Sequence, residues 1–340
     1  MGSVSIAMAT LNGARYLEVQ LHSIAAQSRT PDELVVCDDG STDETVNLIE
    51  RFARTAPFPI RIARNSERLG YKRNFIKAAN LCRGELIAFC DQDDVWAQNK
   101  LQRIISAFKD PEVLFAFHNA TVVDARRSPV GQTFARTTAT LYSPLDLPPW
   151  TIIPGFSQVF RRSLLRYSHL HDQSVDVYCP SEVMPHDQWF LFLASVLGTA
   201  AYLPERLAQY RQHRANSSGW LPSRPLAYAF HSVTHARYYA RSASAAVENR
   251  LSLLAHMRQH SAGTEADRIS SAVEHYLSVQ RYAELRNRLY ESKSLRRRVQ
   301  SIVSLVKARA YTHRRANFGL SNLVLDMCVG LPLGPAFRKP

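Results

Sequence analysis

The run "LIAFCDQDDVW" (residues 86–96) carries an apolar stretch straight into three carboxylates, Asp91, Asp93 and Asp94. Like charges this close repel one another, so the cluster points to a cation held in common rather than to folding. Carboxylate oxygens are hard ligands that suit Mg²⁺ or Mn²⁺. A second acidic pair, Asp38 and Asp39, follows the run "ELVVC". Two later segments add groups able to move protons or hold a metal. "MPHDQWF" sets His186 beside Asp187, and "YRQHRANSSG" carries His213. One chemistry suits the acidic cluster: a divalent ion held by carboxylates that neutralises a leaving diphosphate. No Ser/His/Asp or Cys/His nucleophile set is apparent.

Two other uses of the acidic cluster fail on spacing. A calcium-binding EF-hand loop starting at Asp91 needs Gly at its sixth position and Glu at its twelfth, where Trp96 and Gln102 stand. "IAFCDQDDV" also fits the opening motif of haloacid-dehalogenase-type phosphatases. That motif begins its domain, whereas four expected strands run up to this one, and the family's later Lys and GDxxxD pieces are missing.

The groups must be delivered by regular elements. Apolar runs at residues 4–10, 33–37, 60–63, 85–90 and 113–117 read as strands. Helical spacing marks residues 14–27, 72–81 and 96–108. Ser41-Thr42-Asp43-Glu44 reads as a helix start capped by Ser41, ahead of Val46, Ile49 and Phe52. Strict alternation of strand and helix predicts an α/β fold: a mostly parallel, Rossmann-like sheet with helices on both faces. Ligands bind at the carboxyl ends of such strands, where both acidic clusters fall, so a single site is expected. Residues 125–150, rich in Pro, Ser and Thr, read as a loop. "PGFSQVFRRSLL" reads as a strand or turn running into a short helix. "MPHDQWFLFLASVLG" reads as an apolar helix and "AAYLPERLAQYRQHRANSSG" as a strand pair followed by a loop. From residue 225 to about 315 the pattern is helical.

At 340 residues, 46% hydrophobic and 21% charged, the chain reads as globular, with one large domain plus an appendage or with two domains. No apolar run reaches the roughly 18 residues that span a bilayer. The opening residues read as a first strand, not a signal peptide. Five cysteines without CxxC spacing read as reduced thiols in a cytosolic protein, Cys37 and Cys90 as core residues.

The net charge of +13 is uneven: zero over residues 1–110, +2 over 111–224 and +11 over 225–340. This sets a boundary near residue 224, with a helical basic region beyond it. "SLRRRVQSIVSLVKARA" has no aromatics between its cations, unlike single-strand nucleic-acid binders, so no nucleic acid is expected. Leu295, Val299, Ile302, Val303 and Val306 recur at helical spacing beside Arg296, Arg297 and Arg298. That stripe either packs on the rest of the protein or lies on an anionic membrane surface. "FGLSNLVLDMCVGLPLGPAF" is apolar enough to dip into such a surface, but Asp326, three Gly and two Pro argue against spanning.

Four strings in order, "SIAMATLNGARYLEVQLHSIAAQS", "ELVVCDDGSTDET", "RLGYKRNFIKAAN" and "GELIAFCDQDDVWAQNKL", resemble the family 2 glycosyltransferases of the GT-A fold. The resemblance is dense over residues 3–120 and looser to about 220. It implies a catalytic domain at 1–224, with a nucleotide-sugar half (1–120) and an acceptor half (121–224), ahead of the basic region 225–340. It also implies that Thr10, Leu11 and Asn12 contact the nucleoside and that Asp39 contacts the base. Asp91 lies by the ribose, Asn74 and Gln92 are on the donor side, and Asp93 holds the metal. Ala9 and Leu11 stand where the family usually has Pro and an aromatic. "GFSQVFRRSLL" places Gly155 on the acceptor side. "PHDQWF" makes Asp187 the catalytic base, flanked by His186 and Trp189, and "YRQHRANSSG" brings His213 to the metal or diphosphate.

The implied reaction is inverting transfer of a sugar from a nucleotide-diphosphate sugar of dTDP-rhamnose or UDP-hexose type. The implied acceptor is a hydroxyl of a glycan or lipid-linked molecule, and the implied cofactor is Mg²⁺ or Mn²⁺. The setting is cytoplasmic, on the inner face of the membrane. "DQDD-V-W" with "HD-x-W" is similar to rhamnosyltransferase-like members that build surface polysaccharides. A nucleotidyltransferase shares the diphosphate–metal logic but opens with a Gly-rich loop, where "ATLNGARYL" offers only Gly13.

Overall fold

The computed structural model describes residues 2–213, 216, 225–311 and 319–336. The chain folds as two compact units. The first comprises Met1–Pro144, Ile152–His169 and Pro185–Trp220, the second Leu145–Thr151, Leu170–Met184 and Leu221–Pro340.

The first unit is built on ten strands: β1 (Val4–Thr10), β2 (Glu33–Asp38), β3 (Ile60–Arg64), β4 (Leu86–Cys90), β5 (Val95–Trp96), β6 (Val113–Val123), β7 (Pro129–Gln132), β8 (Thr140–Tyr142), β9 (Gln158–Arg161) and β10 (Thr199–Arg211). They form one sheet in the order β3-β2-β1-β4-β9-β6-β10-β5, with β7 on β6 and β8 on β10. Strands β1, β2, β3, β4, β6 and β10 all run the same way, and the others oppose them. The expected mostly parallel sheet is present. "VSIAMAT" and "LIAFC" are buried at every position, as strands covered on both faces must be. Register fixes the active edge. Thr10 lies opposite Asp38, and Met8 lies opposite Cys90. Leu11, Asp39 and Asp91 therefore leave the sheet on one side.

Around the sheet lie α1 (Ala14–Ala25), α2 (Thr45–Ala53), α3 (Gly70–Leu81), α4 (Lys100–Ile105) and α5 (His186–Leu197). Leu17, Leu21 and Ile24 of α1 join Ile6, Met8, Val36 and Ala88 in the main core. Local readings change where a distant partner intervenes. Ser41 does not cap α2. Its hydroxyl is taken by Asp38 and Asn12, and Asp43 Oδ1 accepts from the amide of Thr45 at 3.0 Å instead. Trp96 does not start a helix: it pairs with Ala208 of β10 as part of β5, and the helix begins at Lys100. The expected strand pair at 199–211 is one long strand carrying three register shifts against β6. The expected loop at 125–150 contains β7 and β8.

The second unit is helical: α6 (Pro225–Gln259), α7 (Gly263–Glu291), α8 (Leu295–Lys307), α9 (Gly319–Leu325), a π-turn at Asp326–Gly330 and α10 (Leu331–Leu333). Arg250 of α6 donates to the Tyr276 hydroxyl of α7 at 3.0 Å. Asp326 is fully buried, and its carboxylate accepts from Arg286 Nε at 2.8 Å, Tyr290 Oη at 2.7 Å and Tyr311 Oη at 2.8 Å. This network satisfies a charge that is otherwise costly inside a protein. Burial, then the Asp326 charge, pushes both phenols well above their ordinary range. No helix among the described residues is long and apolar enough to cross a membrane.

Candidate active site

Three loops meet at the carboxyl edge of the sheet, and hydrogen bonds lace them together. Asp38 accepts from Thr10 Oγ1 at 2.9 Å, from the amides of Gly40 and Ser41 at 3.2 and 2.8 Å, and from the Ser41 hydroxyl. Those four bonds exhaust a carboxylate, so Asp38 builds the turn. Gly40 supplies the turn's φ of 89°. Asn12 sits at φ 48°, a conformation Asn tolerates, and its Oδ1 accepts from the amide of Thr42 at 2.8 Å.

Asp39 is 3% exposed. It accepts from Asn65 Nδ2 at 2.8 Å and from the amides of Leu69 and Gly70 at 2.7 and 2.8 Å. A carboxylate has about four acceptor sites, so one remains for a ligand. Asn74 reaches Asp39 only through Asn65: its amide accepts from Asn65 at 2.9 Å and donates to the Cys37 carbonyl at 2.8 Å. At 1% exposure it is a support for the donor side, not a surface of it. Gln92 also works through the backbone. Its Oε1 accepts from the Leu11 amide at 3.0 Å and its Nε2 donates to the Leu11 carbonyl at 3.1 Å. The clamp passes over Gly13, where a Cβ would lie 2.2 Å from Gln92 Oε1.

The acidic loop is electrostatically crowded. The Asp91 carboxyl is pushed up to about 8 by burial first, then by the charges of Asp93 and Asp187. The structure therefore brings Asp187, nearly a hundred residues on, to the acidic loop. Asp94 is fully buried. Its Oδ1 accepts from the Arg211 amide at 3.0 Å, and burial followed by Asp93 and Asp91 raises its pKa well above the usual range. Asp93 Oδ2 lies 2.8 Å from His213 Nε2. The His213 ring stacks on Tyr16 at 4.7 Å, and the Arg211 guanidinium lies over the Tyr16 ring at 4.6 Å.

On the other side, Gly155 makes room for His186: a Cβ there would lie 2.6 Å from His186 Nε2. The His186 ring stacks on Phe75 at 3.9 Å and meets Phe89 edge-on at 4.8 Å. Gln158 Nε2 donates to the carbonyls of Ile153 at 2.7 Å and Asp187 at 3.2 Å, tying the Gly155 turn to the start of α5. Trp189 departs from its expected place on the acceptor side. It is fully buried, because two residues along a helix turn it about 200° away from Asp187.

The sequence reading missed Lys100, Arg211, Tyr16 and Gln158. Lys100 is fully buried and donates to the Phe156 carbonyl at 2.7 Å. Its only sequence signal is a cation one place before Leu101 on an apolar helix face.

Asp93 and His213 converge as one hard oxygen and one imidazole nitrogen, beside the Asp91 carboxyl. Among the described residues no group of three or more His, Cys, Asp or Glu is arranged to hold a metal ion by itself. Asp93, with the Asp91 carboxyl beside it, would still fit a divalent ion that a diphosphate also binds, since Mg²⁺ is held through one or two carboxylates plus substrate phosphates.

Residues 5–167 match the sequence profile of Glycosyl transferase family 2. An uncharacterized glycosyltransferase of Nostoc sp. is 29% identical over 229 residues, covering 63% of this chain and 66% of its own length. The chain thus spans just under two thirds of that relative. The dTDP-rhamnosyl transferase RfbG of Shigella flexneri is 28% identical over 222 residues, 62% of this chain and 73% of its own. Among solved structures, S. aureus TarS 1-349 in complex with UDP superposes with a TM-score of 0.51. It covers 92% of this chain and 93% of its own at 17% identity, a likeness of fold.

Proposed function

We propose, from the premise that residues 5–167 form a family 2 glycosyltransferase domain of the GT-A fold, that the chain is an inverting glycosyltransferase. It moves a sugar from a nucleotide-diphosphate sugar to a hydroxyl of a glycan or lipid-linked acceptor. The observation that carries this reading is the gathering of Asp39, Asp91, Asp93 and Asp187 at one edge of the sheet. The one open acceptor site of Asp39 suits an imide N–H, which uracil and thymine both present. The names of RfbG, a dTDP-rhamnosyl transferase, and of the UDP complex of TarS agree with such a base. Asp91 lies toward the ribose.

Asp93 and His213 would hold Mg²⁺ or Mn²⁺, which would supply Lewis-acid stabilisation of the departing diphosphate. Asp187 takes the proton of the acceptor hydroxyl, whose oxygen attacks the anomeric carbon from the face opposite the diphosphate. The C–O bond to the diphosphate breaks as the new one forms, and the configuration inverts. The Gly155 turn positions this base through the Gln158 bridge.

The test is donor turnover with UDP-hexoses and dTDP-rhamnose in Mn²⁺, following nucleoside diphosphate and pyrophosphate separately. Nucleoside diphosphate release that EDTA and Asp93→Ala both abolish, in a variant that stays folded, is the expected result. Release of pyrophosphate instead identifies a nucleotidyltransferase. Full activity in EDTA removes the metal role.

A further inference from the structure

Helix α8 is patterned in reverse for a helix that packs on a core. Its buried positions are Arg298 and Ser301 as well as Ile302 and Leu305. Its exposed positions include Leu295, Val299, Val303 and Val306, at 56, 43, 44 and 50%. At 100° per residue those four side chains fall within an arc of about 80°. Arg296 and Lys307 come next around the helix, with Arg297 beyond, and all three are exposed. On the other edge, Ile302 turns inward into a small core with Leu289, Tyr290 and Val329. Leu331 of α10 packs against the same core, and Leu333 is 43% exposed. The stripe expected from sequence thus loses Ile302 and becomes narrower and fully outward.

The cations along it are not neutralised. No carboxylate among the described residues pairs with Arg296, Arg297, Lys307 or Arg309, and Glu291 is held by Arg241 at 2.6 Å. A partner for this face must accept apolar side chains and supply negative charge at once. A nucleic acid meets the arginines and leaves the valines in water. A second copy covers the valines but sets its own cations against these.

We infer that the outward face of α8 docks on an anionic lipid bilayer, with Leu295, Val299, Val303 and Val306 entering the headgroup layer. Arg296 and Lys307, at the edge of that arc, then meet lipid phosphates. A narrow apolar arc with a basic flank is the pattern of a helix lying in that interface. The inference does not rest on glycosyl transfer, and its test uses no turnover.

The full-length chain is floated with vesicles of phosphatidylglycerol and phosphatidylcholine, and with vesicles of phosphatidylcholine alone, at low salt. The wild type should float with the first and stay behind with the second. Val299→Asp with Val303→Asp should lower the bound fraction about tenfold or more, the worth of a few inserted methylenes. Its melting temperature should not change, since both positions are exposed. Arg296→Glu with Lys307→Glu should remove the preference for anionic vesicles. A wild type that floats with neither vesicle overturns the inference. So does a valine variant that binds as well as the wild type. A wild-type dimer in light scattering that the valine substitutions dissociate overturns it in favour of a second copy.

Discussion

Lys100 lies buried beneath the acidic loop, and Lys100→Met tests how that loop is balanced. Nζ donates to the Phe156 carbonyl at 2.7 Å and sits 3.6 Å from the centre of the Trp96 ring. Burial outweighs the charges of Cys90, Asp94 and Asp91 and pulls the ammonium pKa from 10.5 down to about 7. The unfolded chain keeps this proton up to its ordinary pKa, while the folded chain releases it near neutrality. In the window between, the unfolded state binds more protons, so the contribution of Lys100 to stability rises with pH. Methionine has a similar volume and does not titrate. The wild type should therefore gain on the variant by about 2 kcal/mol between about pH 7 and 9. The variant also leaves the Phe156 carbonyl without its donor, a cost of about 1–3 kcal/mol at every pH. The Cys37 and Cys82 thiols, raised by burial and not by Lys100, are common to both proteins and cancel in the difference. Urea denaturation of both proteins across this range, followed by tryptophan fluorescence, measures the gap. A gap that does not change with pH refutes the depressed pKa. Such a flat gap shows instead that Asp94 and Asp91 hold the ammonium charged across this range.

Asp187→Asn should lower turnover about a hundredfold or more while nucleotide affinity, read by calorimetry, stays near wild type. Loss of affinity with little change in turnover moves Asp187 out of the base role. Gly155→Ala forces a Cβ to within 2.6 Å of His186 Nε2 and should cost about 1–3 kcal/mol in urea denaturation. The Asp91 carboxyl, raised from 3.8 to about 8, keeps its proton in the folded state where the unfolded chain has lost it. The metal-free protein should therefore lose stability as pH rises from about 4 to 8, and Asp91→Asn should lessen that slope, with Asp94 supplying the remainder, as thermal melts in EDTA can show.

The sheet was legible because its central strands are apolar runs that stop abruptly at acids. The acids after "LIAFC" stand out against an apolar run, and burial of every residue in that run explains why it reads so clearly. What escaped is whatever a distant partner decides. The Ser41 string has a capping signature, yet Asp38 and Asn12 claim its hydroxyl. Two residues of β5 are a strand only because β10 lies beside them. Trp189 is a different case, since helix geometry alone forbids it the face of Asp187. The string "HD-x-W" hid that, because a motif records which residues recur and not which way they point.

The departure at Leu11 follows the same logic. The usual aromatic there stacks on the base, and leucine cannot. Gln92 nevertheless grips both the amide and the carbonyl of Leu11, so the backbone is held whatever the side chain. On the proposed reading, leucine offers the base an apolar contact without the preference of a stacked ring. Discrimination between bases then falls on the one open acceptor site of Asp39, which its three other bonds hold in place. A donor site built this way tells an imide N–H from a bare ring nitrogen. It cannot tell uracil from thymine, because the 5-methyl group lies away from that contact.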